Sequence, residues 1–187
     1  MPKSNGAIFL DRDGVINHPP SEERRYIRNW KEFRFIPGTL RALKKLHQAK
    51  KQVIVVSNQA GVGKKIMTQQ QLNDLTLQMR KAVEKTGGKL HAVYYCTHPP
   101  SAGCRCRKPY TGMLKKARRK FGIDLARSIV VGDSPTDILM GQLAGCATVM
   151  VLSGKTNRRV ASHMAHPAHY LAKNLDQAVQ WILENHR

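Results

Sequence analysis

Two carboxylates separated by one residue, Asp11 and Asp13, follow the apolar run Ala7-Ile8-Phe9-Leu10 and precede Gly14. On an extended backbone, side chains two apart point to the same side, so both carboxylates can face one pocket. Such a pair can divide labour, one member attacking or binding a metal and the other carrying a proton. Three later stretches extend the theme: Ser57-Asn58-Gln59-Ala60-Gly61-Val62-Gly63, Cys106-Arg107-Lys108-Pro109 and Gly132-Asp133-Ser134-Pro135-Thr136-Asp137. Together they meet the needs of phosphoryl transfer, in which nucleophile, metal and charge-stabilising donors surround one phosphorus. Asp11 is the expected nucleophile, forming an aspartyl-phosphate. Asp13, expected to stay partly protonated through its neighbour's charge, protonates the leaving oxygen and later activates water. The Ser57 hydroxyl, nearby backbone N–H groups and Lys108 are expected to hold the phosphoryl oxygens. Asp133 with Asp11 forms an oxygen-rich site suited to Mg²⁺, and Asp137, one helical turn on, is expected to hold a metal-bound water.

Each of these residues also has a plainer reading. Ser57 and Asn58 could cap a helix, Lys108 could be a surface lysine, and Asp133 could cap the helix opened by Pro135. Their joint occurrence at successive strand ends favours the chemical reading.

A second cluster has different chemistry. Cys96-x-His98 and Cys104-x-Cys106 are separated by five residues and offer three thiolates and one imidazole. That donor set suits a closed tetrahedral Zn²⁺ site of the structural kind; three free thiols and a stray histidine are the alternative. Lys108 follows two residues after the last of these, so zinc would position a catalytic lysine without touching substrate. Cys146 stands apart and reads as a small core residue.

The elements that must position these groups alternate. Apolar runs at Ala7–Leu10, Val53–Val56, Ala92–Tyr95, Ser128–Val131 and Thr148–Leu152 read as strands, with a short sixth near His169–Leu171. Between them, Pro37 is expected to start a helix carrying Leu40, Leu43 and Leu46. Thr68 and Gln71 form a capping box before Leu72, Leu75, Met79 and Val83; Gly122 stops a helix bearing Leu114 and Ala117. Pro135 opens another helix, a loop follows the fifth strand, and a last helix carries Leu175, Ala178, Val179, Ile182 and Leu183. This order predicts an α/β fold, a doubly wound parallel sheet, with ligands outside the carboxyl ends of the strands. Asn17 to Phe35 is too long for a turn and is expected to form a small flap or lid.

The chain of 187 residues is expected to form a single domain, 1–187, with no large cap. Its 32 Lys+Arg against 12 Asp+Glu give a net charge of +20, which attracts phosphate-rich partners but says nothing of fold. The basic residues are dispersed over several segments and aromatic residues are only 6%, which argues against a dedicated nucleic-acid module. No run approaches membrane-spanning length and no apolar leader follows Met1. A cytoplasmic protein, expected to be monomeric, acting on a phosphorylated small molecule and binding no specific nucleic acid or membrane, is the reading.

Asp-Arg-Asp-Gly-Val-Ile-Asn, Ser-Asn-Gln-Ala-Gly-Val-Gly, Cys-Arg-Lys-Pro and Gly-Asp-Ser-Pro-Thr-Asp resemble the four signature motifs of the haloacid dehalogenase superfamily. Within it, the chain is similar to the D-glycero-D-manno-heptose 1,7-bisphosphate and histidinol-phosphate phosphatases over roughly Ala7 to Thr156. The resemblance implies a Mg²⁺-dependent phosphoric monoester hydrolase with structural zinc, acting on the C7 phosphate of the heptose bisphosphate in making lipopolysaccharide precursors. It implies Asp11 as nucleophile, Asp13 as acid/base, and Ser57 and Lys108 as phosphoryl stabilisers. Mg²⁺ would sit on Asp11, the Asp13 carbonyl and Asp133, and the short Cys/His loop would carry Zn²⁺. Candidate substrate contacts are Arg12, Glu23, Arg24, Arg25, Tyr26, Asn58, Gln59, Ala60 and Arg107. The His18-Pro19-Pro20-Ser21 stretch leans toward the histidinol-phosphate enzymes, whereas Tyr26-Ile27, Tyr94-Tyr95 and Thr111-Gly112-Met113-Leu114 lean toward the heptose side. Histidinol phosphate therefore stands as the alternative substrate, and a phosphatase of nucleic-acid ends or a basic binding protein as more distant ones.

Overall fold

Apolar runs bounded by Gly, Pro and polar clusters become six strands in the computed structural model, which describes residues 6–21, 25–154 and 156–186. They are β1 (Ala7–Leu10), β2 (Gln52–Asn58), β3 (Ala92–Cys96), β4 (Ile129–Gly132), β5 (Ala147–Val151) and β6 (Tyr170–Ala172). The helices are α1 (Thr39–Gln48), α2 (Gln69–Lys85), α3 (Gly112–Phe121), α4 (Pro135–Leu143), α5 (Arg158–Ser162) and α6 (Leu175–Asn185). The strands form one parallel sheet in the order β3-β2-β1-β4-β5-β6. Because β1 lies between β2 and β4, the winding reverses at its carboxyl end, where α/β sheets leave a crevice for ligands.

Continuous apolar strands require cover on both faces. Ala7 and Phe9 pack with Met113, Leu114 and Ala117 of α3 and Met140 of α4. Ile8 and Leu10 face the other way, toward Leu43 and Leu46 of α1, Leu75 and Met79 of α2, and Val179 and Ile182 of α6. The strand thus has no polar position until Asp11, which is why the first charged groups appear where the sheet ends. The Thr68–Gln71 capping box is formed, and Gly122 ends α3 at φ 62°.

Two expectations need correction. The first helix starts at Thr39 rather than Pro37, because Gly38 takes a left-handed φ of 88° at the N-cap. The segment after β5 is not all loop: Asn157 caps the five-residue α5, its side chain accepting from Val160 N.

The flap leaves and returns at one place. Asn17 bridges both Asp13 and Phe35, His18 N donates to Arg34 O, and Ile36 N donates to Ile16 O. Within it, Trp30 stacks on Phe33 with ring centres 5.0 Å apart, and Phe35 meets both rings edge to face. Among the described residues, no helix is long and apolar enough to cross a membrane.

Candidate active site and metal centres

Asp11 N donates to Val131 O at 3.0 Å, so the backbone continues β1 for one residue while the side chain enters the crevice. Its carboxylate lies 2.9 Å from Lys108 Nζ, and the same ammonium lies 2.6 Å from Asp137 Oδ1. Lys108 is buried and donates as well to Val56 O. Asn58, the last residue of β2, clamps its backbone: Lys108 N donates to Asn58 Oδ1 and Asn58 Nδ2 donates to Lys108 O. Burial works against the ammonium, but the two carboxylates overcome it and hold Lys108 above the ordinary lysine range. Burial also pushes the Asp11 carboxyl upward; Lys108 pulls it back and Asp137 adds to the rise.

Asp13 is held differently. Arg12 Nε and Nη2 donate to its Oδ1 at 3.1 and 2.9 Å, and Nη2 reaches Oδ2 at 2.8 Å. Asn17 Nδ2 donates to Oδ1 at 2.9 Å and Gln59 Nε2 to Oδ2 at 2.8 Å. Burial alone would raise this carboxyl, yet the guanidinium and the two amides hold it below the usual carboxylate range. The expectation of a partly protonated Asp13 is therefore corrected: its immediate neighbour is a cation, not a second anion. Gln59 Nε2 also donates to Ser57 Oγ, so one amide orients both groups.

A cavity of about 990 Å³ opens over these residues. Asp11, Asp13, Ser57, Asn58, Gln59, Ala60, Arg107, Lys108 and Asp133 line it, with Arg25 and Tyr26 arriving from the flap. Most sequence-predicted residues thus converge. Arg12 does not: its side chain is fully buried behind Asp13, so it is no direct substrate contact in this arrangement. Asp137 also pairs with Lys108 and accepts from the Ser134 N–H and hydroxyl, contacts that its helical spacing from Asp133 did not reveal. Glu22, Glu23 and Arg24 lie outside the described residues.

His18, Lys64, Ser134 and Thr136 also line the cavity. Ser153, which the sequence reading did not single out, donates its Oγ–H to Gly14 O. Asn17 closes the first motif, where its amide could have been read as a partner for Asp13. Nothing in the sequence marks Gly154. A Cβ on Gly14 would stand 2.2 Å from Asp133 Oδ2, and one on Gly154 would stand 2.0 Å from the same atom. Two bare backbones therefore seat Asp133 opposite Asp11.

The donor chemistry fits two different metals. Asp11, Asp133 and Asp137 place carboxylate oxygens within 4.8 Å of one another, a hard oxygen set suited to Mg²⁺. Cys96, the last residue of β3, gathers with His98, Cys104 and Cys106 of the following loop, with Sγ···Sγ separations of 3.2 to 3.5 Å. His98 Nδ1 lies 3.2 Å from Cys106 Sγ and 3.7 Å from Cys96 Sγ. Edges of a tetrahedron around Zn²⁺ with sulfur ligands are about 3.8 Å, so four donors already converge on one point. Burial pushes the Cys96 thiol up to about 12, whereas contacts to Cys106 and Cys96 outweigh desolvation and bring Cys104 down to about 6. The loop is tied to the site, since Gln59 N donates to Cys96 O and Gly63 N to Thr97 O.

A family model described as HAD-hydrolase-like matches residues 105–178. A D-glycero-beta-D-manno-heptose-1,7-bisphosphate 7-phosphatase of Bordetella bronchiseptica is 35% identical over 154 residues, covering 82% of this chain and 84% of the relative. The enzyme of the same name from Pseudomonas aeruginosa is 36% identical over 152 residues, 81% of this chain and 84% of the relative. A crystal structure of D,D-heptose 1,7-bisphosphate phosphatase from B. bronchiseptica, complexed with magnesium and phosphate, superposes with a TM-score of 0.89. It is 32% identical and covers 96% of this chain and 98% of that one. With the carboxylate pair, the buried lysine and the sheet order in place, the chain belongs to the haloacid dehalogenase-like hydrolases, in the family of the D-glycero-D-manno-heptose-1,7-bisphosphate 7-phosphatases.

Proposed function

We propose that the protein hydrolyses the C7 phosphate of D-glycero-D-manno-heptose 1,7-bisphosphate in two steps through an aspartyl-phosphate on Asp11. The observation that carries this is the Asp11 carboxylate facing a basic cavity 2.9 Å from a buried lysine, with a second carboxylate held separately. In this reading Asp11 attacks phosphorus while Asp13 gives a proton to the departing sugar oxygen. Asp13 then takes a proton from the water that cleaves the acyl phosphate. The phosphate dianion entering the cavity favours protonation of Asp13 for the first step. Lys108 and Ser57 hold the phosphoryl oxygens, and Asp137 keeps Lys108 charged and pointed. Asp11, the Asp13 carbonyl and Asp133 would hold Mg²⁺, which supplies positive charge against the oxygens of the transferring group.

The wall of the cavity supports a substrate with a second phosphate. Arg25, Lys64 and Arg107 line it, and Arg107 Nη1 is buried without a hydrogen-bond partner. Among the described residues, its carboxylates are Asp11, Asp13 and Asp133, all at the reacting end. The same reading takes the protein as a cytoplasmic monomer with no sequence-specific nucleic-acid partner. Phosphate release should be measured across heptose bisphosphate, histidinol phosphate and a 3′-phosphorylated DNA end. We expect kcat/KM for the heptose bisphosphate to lead by about 10-fold or more, the range a few misplaced contacts provide. Faster release from histidinol phosphate would overturn the substrate assignment.

Zinc on the Cys/His loop is proposed as a structural support for Arg107 and Lys108. The purified protein should contain one Zn²⁺ per chain, separate from Mg²⁺, because thiolates are ligands Mg²⁺ does not use. Cys104→Ser should lose zinc and turnover in saturating Mg²⁺ while far-UV circular dichroism persists, since the sheet has its own core. Zinc-free wild type with full activity would show the cluster to be incidental.

A further inference from the structure

Arg12 sits between the two carboxylates in sequence, yet nothing in the proposed chemistry uses it. Its side chain has no exposed surface, an unusual place for a guanidinium. Three N–H···O contacts of 2.8 to 3.1 Å fork onto both oxygens of Asp13. Its Nη2 also donates to Gln59 Oε1 at 3.1 Å, and Gln59 returns Nε2 to Asp13 at 2.8 Å. The guanidinium lies 5.8 Å from the centre of the Tyr95 ring, and the Tyr95 hydroxyl meets Thr76 Oγ1 of α2 at 3.0 Å. Its backbone carbonyl accepts from Ile16 N and Asn17 N, closing the turn that follows β1. Arg12 is thus fixed by β3, by the loop after β2 and by its own turn before it touches Asp13.

A bidentate fork sets the plane of a carboxylate as well as its position. Rotating Asp13 about its last bond would break the fork and the Gln59 contact together. We propose that Arg12 is a positioning residue that holds Asp13 in the orientation for proton transfer to and from the reacting oxygens, without touching substrate. The proposal rests on the reading of Asp13 as the acid that serves Asp11. A lysine could not replace it, because an ammonium is a point charge without the planar fork.

The step at stake is phosphoenzyme formation. A carboxylate oxygen of Asp11 bonds to phosphorus, the bond from phosphorus to the leaving oxygen breaks, and that oxygen takes the proton from Asp13. An alkyl leaving group such as the heptose needs that proton, whereas p-nitrophenolate departs without one. Single-turnover phosphoenzyme formation should therefore be measured with heptose bisphosphate and with p-nitrophenyl phosphate.

In Arg12→Met we expect the rate with heptose bisphosphate to fall about 100-fold, within the range of general acid catalysis, and the rate with p-nitrophenyl phosphate to change less than about 3-fold. Because removing Arg12 leaves Asp13 with one charge partner fewer, folding is checked by circular dichroism. If the variant does not fold, Tyr95→Leu decides the matter. It keeps the ion pair but removes the ring beneath the guanidinium, and should give a smaller loss confined to the alkyl substrate. Equal losses with both substrates, or none with either, would overturn the proposal. A wild type that forms no phosphoenzyme with either substrate would instead overturn the nucleophile assignment on which it rests.

Discussion

Asp11→Asn should be inactive, with phosphate release lower by about 10⁴-fold or more, the scale on which loss of a nucleophile acts. An amide is a poor nucleophile and a poor ligand for Mg²⁺, so both functions assigned to Asp11 disappear together. The fold should not follow. Lys108 keeps its 2.6 Å contact with Asp137, and burial already pushes the Asp11 carboxyl toward its neutral form. A neutral isostere there is accordingly well tolerated, and the melting temperature should stay within a few degrees of wild type. Steady-state release by the purified variant, with its melting curve alongside, tests both halves. Turnover near the wild-type rate would remove Asp11 as the nucleophile.

Lys108→Met should lose activity and stability together. The ammonium lies between Asp11 and Asp137, and both carboxylates are buried. Removing one partner of a buried ion pair costs roughly 3–5 kcal/mol, because the remaining charge is stranded. For a chain of this size that lowers the melting temperature on the order of 10 °C at pH 8. The sign of the pH dependence follows from Asp11, whose folded carboxyl already lies above its ordinary value and rises further without the lysine. A group raised on folding penalises the folded state above its folded pKa and ceases to do so below its unfolded one. The deficit should therefore shrink as pH falls from 8 toward 5. Equal melting temperatures for variant and wild type at pH 8 would show that Lys108 is not the neutralising centre of the site.

How far the sequence discloses the structure depends on where the information is local. The strands are legible because burial on both faces forces unbroken apolar runs, as in Val53–Val56. The Thr68–Gln71 cap and the stop at Gly122 are legible because each is set by residues within a few positions. Helix α5 is not, since five residues with only Ala161 buried make too short a stripe to show a period. At the site, residue types and their order disclose which groups converge, but not what each one touches. Arg12 reads as a surface or substrate-facing cation because arginine is seldom buried, and only the fold supplies the carboxylate, amide and ring that make its burial tolerable. Asp137 reads as a metal-side group because its spacing from Asp133 is helical. Its ion-pair partner, Lys108, comes from a loop 29 positions earlier in the chain and leaves no trace in that spacing.

The seat of Asp133 changes what an alanine scan of this protein would report. Gly14 and Gly154 bear no side chain, offer no ligand and hold no proton, yet a single methyl at either would fall within 2.2 Å of the same carboxylate oxygen. They come from opposite ends of the chain, 140 positions apart. In a map of functional sensitivity both would stand among the catalytic groups, and a reader of that map would search in vain for their chemistry. What they contribute is vacancy: the reacting centre is shaped as much by two missing methyls as by the carboxylates it displays.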